Sequence, residues 1–198
     1  MLIEHRGKRP TVDDTAYVSP AAVLSGDVTV GAGSRILHGA VLSAEDGPVR
    51  IGANVVVMEN ALVRGRAGHP ATVGDDVLIG PHAHVNGAVV ASGCFVATGA
   101  SLFPGSTLGA GAEVRINAVV QVNTSVPAGA VVPIGWVAVG DPAQLFSPDR
   151  HDEIWAVQRQ LGFTATVYGV GRDASMADIM RGQSEFYGAH RDDIVLDG

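Results

Sequence analysis

The chain has 198 residues, with 20 acidic against 13 basic side chains; a net charge of −7 excludes broad affinity for nucleic acid or anionic membrane. It is 46% hydrophobic but only 5% aromatic, so its core must be built from small aliphatics. The single cysteine, Cys94, excludes an internal disulfide framework, and no apolar run reaches secretory or membrane-spanning length, so the expected setting is cytoplasmic.

Residues 1–11 read as a polar lead-in, with Gly7 and Pro10 as turn signals. From Val12 an aliphatic recurs every six residues, at Val18, Leu24, Val30, Ile36 and Leu42. The period resumes at Ile51, Val57 and Val63, again at Val73, Ile79 and Val85, and again from Val90 to Val120. A small residue follows four places after most of these, as at Ala22, Ala40, Ala61, Ala83, Ala100 and Ala118. An α-helix has no use for a strict period of six. A hexapeptide solenoid does: each repeat is one short strand and a corner, and three repeats close a triangular coil.

The period slips three times. Nine residues separate Leu42 from Ile51, so SAEDGPVR is expected to bulge out as a loop. Ten separate Val63 from Val73, giving a second loop in RGRAGHPAT, and five separate Val85 from Val90, a tightened corner. Insertions in a solenoid gather on one edge and often carry the site. Beyond a Pro/Gly-punctuated last coil, Ser147-Pro148 predicts a helix start and Gly162 its end, with Ile154, Val157 and Leu161 as the apolar stripe. Ser175 with Asp178 predicts a second capped helix, whose Met176, Ile179 and Met180 are expected to pack on the solenoid or a neighbouring subunit. The expected division is a β-helix domain over 1–146 and a helical segment with a tail over 147–198.

The stretches DDTAYVSPAAVLSGDVTVGAGSRI, GAVLSAEDGPVRIG, VGDDVLIG and VGDPA resemble the γ-class carbonic anhydrases over roughly residues 1–165. The resemblance implies an all-β solenoid, a left-handed parallel β-helix with a C-terminal α-helix, assembled as a homotrimer. It also implies a zinc ion at each subunit interface, held by three histidines from two subunits. Carried over residue by residue, the three ligand places hold Arg64, Pro81 and Asn86. Ser43-Ala44-Glu45 stands where the family has Arg-Gly-Asp, and Met58-Glu59 where it has Gln-Asp. The usual three-histidine zinc site is therefore absent from the sequence.

Two readings of the remaining candidates follow. A relocated zinc site would draw on His69, His82 and His84, with His84 of one subunit facing His82 or His69 of the next. Against it, His82 shares a corner column with Gly39, Asn60, Gly99 and Asn117, where a left-handed backbone accounts for it. His84 shares a column with Val41, Leu62 and Val119, which suits interface packing. In the second reading, Arg64 and Asn86 hold a carboxylate, carbonate or acyl oxygen, with His84 or Glu59 as general acid or base. His38 shares the corner column of Glu59. Glu45 and Glu59 are the carboxylates available to Arg64, and an Arg64 salt bridge acting as trimer glue is the structural alternative. His69, Arg66 and Asp46 read as solvated loop residues, and Cys94 as buried and inert.

The leading functional reading is a γ-carbonic-anhydrase-like homotrimer with a diverged interfacial site, hydrating or hydrolysing a small carbonyl compound. A hexapeptide acyltransferase or acyl-CoA thioesterase is the alternative from another enzyme class. A non-catalytic scaffold binding a small molecule or anion is the third.

Overall fold

The structure is a computed structural model, described here for residues 1–196; Asp197 and Gly198, at the end of the expected helical segment and tail, lie outside the described residues. The hexapeptide period becomes a parallel β-solenoid of about eight coils. The inward aliphatics Leu24, Ile36, Leu42, Val57, Val63, Ile79, Val85 and Leu102 are fully buried, with Ala40, Ala61, Ala83 and Ala100 packed at the turns between them. Among the described residues the fully buried solenoid core contains no aromatic residue, and Trp136 packs against it half-buried. Strands two residues long alternate with corners, and each pairs in parallel with the strand one coil away, as in Leu78 with Val56 and Phe95. The corner column Gly39, Asn60, His82, Gly99 and Asn117 has φ between 55° and 73° throughout. That geometry explains His82 without chemistry, because histidine tolerates the left-handed region better than most side chains.

The first irregularity differs from the expected loop. Val41–Ile51 is one continuous strand of 11 residues. It pairs on one side with Val23–Val30, and on the other with Leu62–Gly65 and Ala71–Val73. The extra residues are absorbed by a register shift between Gly26 and Val28, with Gly26 at φ 78°. The second irregularity is a shorter loop than predicted: residues 64–65 and 71–72 belong to the flanking strands, and between them a tight turn is closed by paired hydrogen bonds between Arg66 and His69, at 3.0 and 2.9 Å.

The C-terminal segment retraces the solenoid from its last coil to its first. Helix α1 runs from His151 to Gln158 and buries Ile154 against Val139 and Phe146. It starts later than Ser147-Pro148 suggests, because Ser147–Arg150 closes a turn of its own, Arg150 N–H donating to the Ser147 carbonyl. Gly162 does not end the segment's helical content. Helix α1 has already ended at Gln158, and Gly162, at φ 67°, is the N-cap of α2, Phe163–Tyr168, whose Phe163 lies 5.9 Å from the Phe103 ring of the solenoid. Helix α3, Met176–Tyr187, begins at Ser175, whose hydroxyl accepts from Asp178 N–H as the capping pattern predicts. Of the residues expected to pack, Ile179 is buried while Met176 and Met180 are exposed. A 3-10 turn, Gly188–Asp192, then leads to Ile194–Leu196, which pairs antiparallel with Leu2–Glu4. Among the described residues no helix is long and apolar enough to cross a membrane.

Ser175→Ala removes the α3 cap and is expected to cost about 1 kcal/mol. A urea titration followed by circular dichroism measures it. A midpoint unchanged from wild type would show that the cap contributes nothing.

Candidate functional site

Parallel register sets the site. Ser25, Ser43, Arg64 and Asn86 occupy one row across four adjacent strands. Since alternate residues of a strand share a face, these side chains leave the solenoid on the side opposite the inward Leu24, Leu42, Val63 and Val85. Outward polar residues would ordinarily be solvated. Here Ser25, Ser43 and Asn86 are buried, and Arg64 is three-quarters covered. Cover comes from the returning C-terminal segment: the Arg64 guanidinium lies 5.9 Å over the Tyr187 ring and reaches the Tyr187 hydroxyl at 3.5 Å.

Two residues beyond Ser43, Glu45 is buried with its carboxylate divided between partners. Oε1 accepts from the Ser43 hydroxyl at 2.6 Å and stands 4.0 Å from Arg64 Nε. Oε2 meets His190 Nε2 at 3.0 Å. His190 Nδ1 in turn meets Asp193 at 2.9 Å, and the other Asp193 oxygen lies 2.6 Å from His5 Nδ1. The His5 and His190 rings stack with centroids 4.4 Å apart. Burial pulls the His190 pKa down, but the hydrogen bond to Asp193 and the charge of Glu45 outweigh it, so the net shift is upward. Burial raises Asp193, and its bonds to His190 and His5 outweigh that and lower it.

Among the described residues, Arg64 Nε, a donor that faces the Glu45 carboxylate at 4.0 Å, and Asn86 Oδ1, an acceptor, are buried in this row without a hydrogen-bond partner. They belong to residues paired across neighbouring strands, about 4.8 Å apart. Ser25 Oγ, at the far end of the same row, is the third such atom. A buried polar group left unpaired costs roughly 1–3 kcal/mol, so such a pair is where a ligand gains most.

The sequence candidates thus divide. Glu45, Arg64 and Asn86 come together. His84 lies two residues before Asn86 on the same strand and face, edge-on to the Phe103 ring at 6.1 Å. Glu59 sits at a corner, its carbonyl accepting from His82 N–H at 3.0 Å, and among the described residues its carboxylate has no partner. Within one chain His69, His82 and His84 form no group close enough to share a metal among the described residues; His5, Glu45 and His190 do. His69 instead packs over the tightened corner at Gly87, where an added Cβ would meet its own Cβ at 2.8 Å. Cys94 is buried and donates to the Gly109 carbonyl, and burial pushes its thiol pKa up. His5, Tyr187, His190 and Asp193 carried no periodic or motif signal in the sequence.

Burial first, and the charge of Arg64 second, hold the His84 pKa below its ordinary value. The unfolded chain therefore takes up that proton more readily. The His84 contribution is fully present above the unfolded value of about 6.5 and is lost as pH falls through it. His84→Leu, which copies Leu62 in the same column one coil earlier, is expected to flatten the loss of stability between about pH 7 and 5. Parallel thermal-midpoint profiles for the two proteins would contradict this.

No protein-family model matches the chain. It is 40% identical over 89 residues to gamma carbonic anhydrase 3, mitochondrial, of Arabidopsis thaliana, a match covering 42% of this chain and 34% of that protein. It is 24% identical over 90 residues to a carbonic anhydrase of Geobacillus kaustophilus, covering 46% and 50%. The chain thus spans between a third and a half of the length of these curated relatives. Among solved structures, a hexapeptide transferase family protein from Anaplasma phagocytophilum has a TM-score of 0.54 at 19% identity, covering 95% of this chain and 93% of that one. A putative acetyltransferase of Bacillus cereus has a TM-score of 0.51 at 17% identity, covering 93% and 95%. These last two show the fold. The repeat and the solved structures agree on a hexapeptide-repeat β-helix fold, and over less than half of its length the chain is similar to the γ-carbonic anhydrases.

Proposed function

We propose that this is a γ-carbonic-anhydrase-like protein in which an anion site around Arg64 stands in place of the zinc that the resemblance implies. The observation that supports it is the pair of buried atoms without a hydrogen-bond partner among the described residues, Arg64 Nε and Asn86 Oδ1. The residues at the zinc-ligand places implied by the resemblance do not fit the metal. Arg64 offers a permanent positive charge and no lone pair, and Pro81 offers no side-chain donor. A guanidinium at that place repels a cation and attracts an oxyanion. A ligand that satisfies both atoms presents one oxygen acceptor to Arg64 and one O–H donor to Asn86. Hydrogencarbonate and small hydroxylated carboxylates have that pattern. His84, held neutral at pH 7, supplies a base on the same face for hydration or hydrolysis of a small carbonyl compound.

Self-association as a homotrimer is part of this reading. Tyr17, Phe95 and Val131 are exposed along the seven-stranded face, and association would bury them.

Calorimetric titration with hydrogencarbonate and with lactate tests the assignment. Saturable one-site binding is expected, lost in Arg64→Leu and weakened at least about tenfold in Asn86→Leu, the cost of one hydrogen bond to a charged ligand. Wild-type protein that binds neither anion would sink the reading, as would Arg64→Leu binding with unchanged affinity.

A further inference from the structure

Strand pairing at the two chain ends brings three distant segments to one edge of the first coils: the end of Leu2–Glu4, the Ser43–Glu45 stretch and the 3-10 turn. There one ligand atom each from His5, Glu45 and His190 lies within 4.8 Å of the others. The Asp193 carboxylate occupies Nδ1 of both imidazoles, at 2.6 Å for His5 and 2.9 Å for His190. A proton on each Nδ1 fixes the tautomer and leaves each Nε2 lone pair as the one able to ligate. A carboxylate behind the far nitrogen is how metal-binding histidines are held and made more basic, and here one aspartate serves two. Ser43 holds Oε1 of Glu45, so Oε2 faces His190 Nε2 at 3.0 Å. His5 and Glu45 are both buried, and a tilt of the stacked imidazoles brings the two Nε2 lone pairs onto one ion. A cavity of about 130 Å³, bordered by His5, Arg6, Asp27 and Glu45, adjoins them and has room for water.

We infer that His5, Glu45 and His190 form a binding site for a first-row divalent cation such as Zn²⁺, with Asp193 orienting both imidazoles. Two imidazoles and one carboxylate make a donor set that suits zinc and leaves coordination positions open. Entry of the cation displaces the proton shared by His190 and Glu45, so uptake releases protons to solvent. Arg6 competes for the site, since its Nε donates to His5 Nε2 at 3.2 Å. That side chain stands on an exposed turn and also lies over the Phe186 ring, so it swings outward when metal enters. Because the ligands come from positions 5, 45 and 190, the cation ties both chain ends to the solenoid. The site shares Glu45 with the region around Arg64 but needs neither Arg64 nor Asn86, so it stands apart from the anion reading.

The test uses the full, untagged chain, stripped with a chelator and titrated calorimetrically with Zn²⁺. One zinc per chain is expected, with uptake lost in His5→Ala and His190→Ala. Asp193→Asn should weaken binding by about 10–100-fold, the usual effect of removing a carboxylate behind a ligating histidine. Arg6→Ala should tighten it, and saturating zinc should raise the wild-type thermal midpoint. No stoichiometric uptake by wild type overturns the inference, as does wild-type affinity in either histidine variant. Should those variants fail to fold, Asp193→Asn and Arg6→Ala carry the test, and unchanged affinity in both overturns it. Failure of the anion reading appears separately, as Arg64→Leu without effect on carboxylate binding while the zinc titration stays intact.

Discussion

Gly65→Ala is expected to destabilise the protein by about 3 kcal/mol, the upper end for forced overpacking, and to disorganise the site with it. A Cβ built at Gly65 would meet the carbonyl oxygens of Gly47 and Pro48 at 2.3 and 2.4 Å. Both are backbone atoms of the long strand Val41–Ile51, so no side chain can turn away to make room. The contact is reciprocal: a Cβ at Gly47 would meet the Arg66 carbonyl oxygen at 2.1 Å. Relief requires the two strands to part. Gly65 is the register partner of Ala44, next to Glu45, and follows Arg64 directly. Parting them therefore moves the two charged groups of the site relative to each other. Chemical denaturation followed by circular dichroism reads the stability, and carboxylate titration reads the site. Wild-type stability in Gly65→Ala would mean that the strands are not in the close approach described.

Glu45→Ala is the second large effect, expected at about 3 kcal/mol, at the low end for removing one partner of a buried charged pair. Glu45 is buried, and its loss leaves the Ser43 hydroxyl, the Arg64 guanidinium and the His190 imidazole facing a void. The Arg64 contact is discounted because that side chain is 26% exposed and the pair stands at 4.0 Å. The buried hydrogen bonds to Ser43 and His190 carry most of the expected cost. The same bond to His190 secures the returning C-terminal segment, so the variant should be clipped faster by protease around residues 169–175, between α2 and α3. Equal cleavage rates and equal stability in the two proteins would show that Glu45 does not anchor the segment.

The solenoid was legible because burial is periodic: a residue such as Val57 or Ile79 must be aliphatic, and six residues later the demand returns. The same register made Arg64 and Asn86 legible as neighbours, since a column in a solenoid can be counted along the chain, whereas Glu45 reads from the sequence only as one of two carboxylates within reach of Arg64. The long strand was not legible. Gly47-Pro48 reads as a turn, and only the neighbouring register shift after Gly26 lets the chain run straight through it. His5, Tyr187, His190 and Asp193 were missed for a different reason. They reach the site because Ile194–Leu196 pairs with Leu2–Glu4, a contact between the ends of the chain that no local spacing encodes. Even the helix boundaries turned on local competition, with Ser147–Arg150 closing as a turn where the cap pattern suggested a helix start.

In the proposed reading, an arginine-centred anion site stands at Arg64 in place of a metal. Crystals grown in hydrogencarbonate, with anomalous data collected across the zinc edge, test it most directly. A trigonal oxyanion bridging Arg64 Nε and the Asn86 amide is expected, with no anomalous peak at that place. An anomalous peak beside Arg64 and Asn86, or no oxyanion between them, would contradict it.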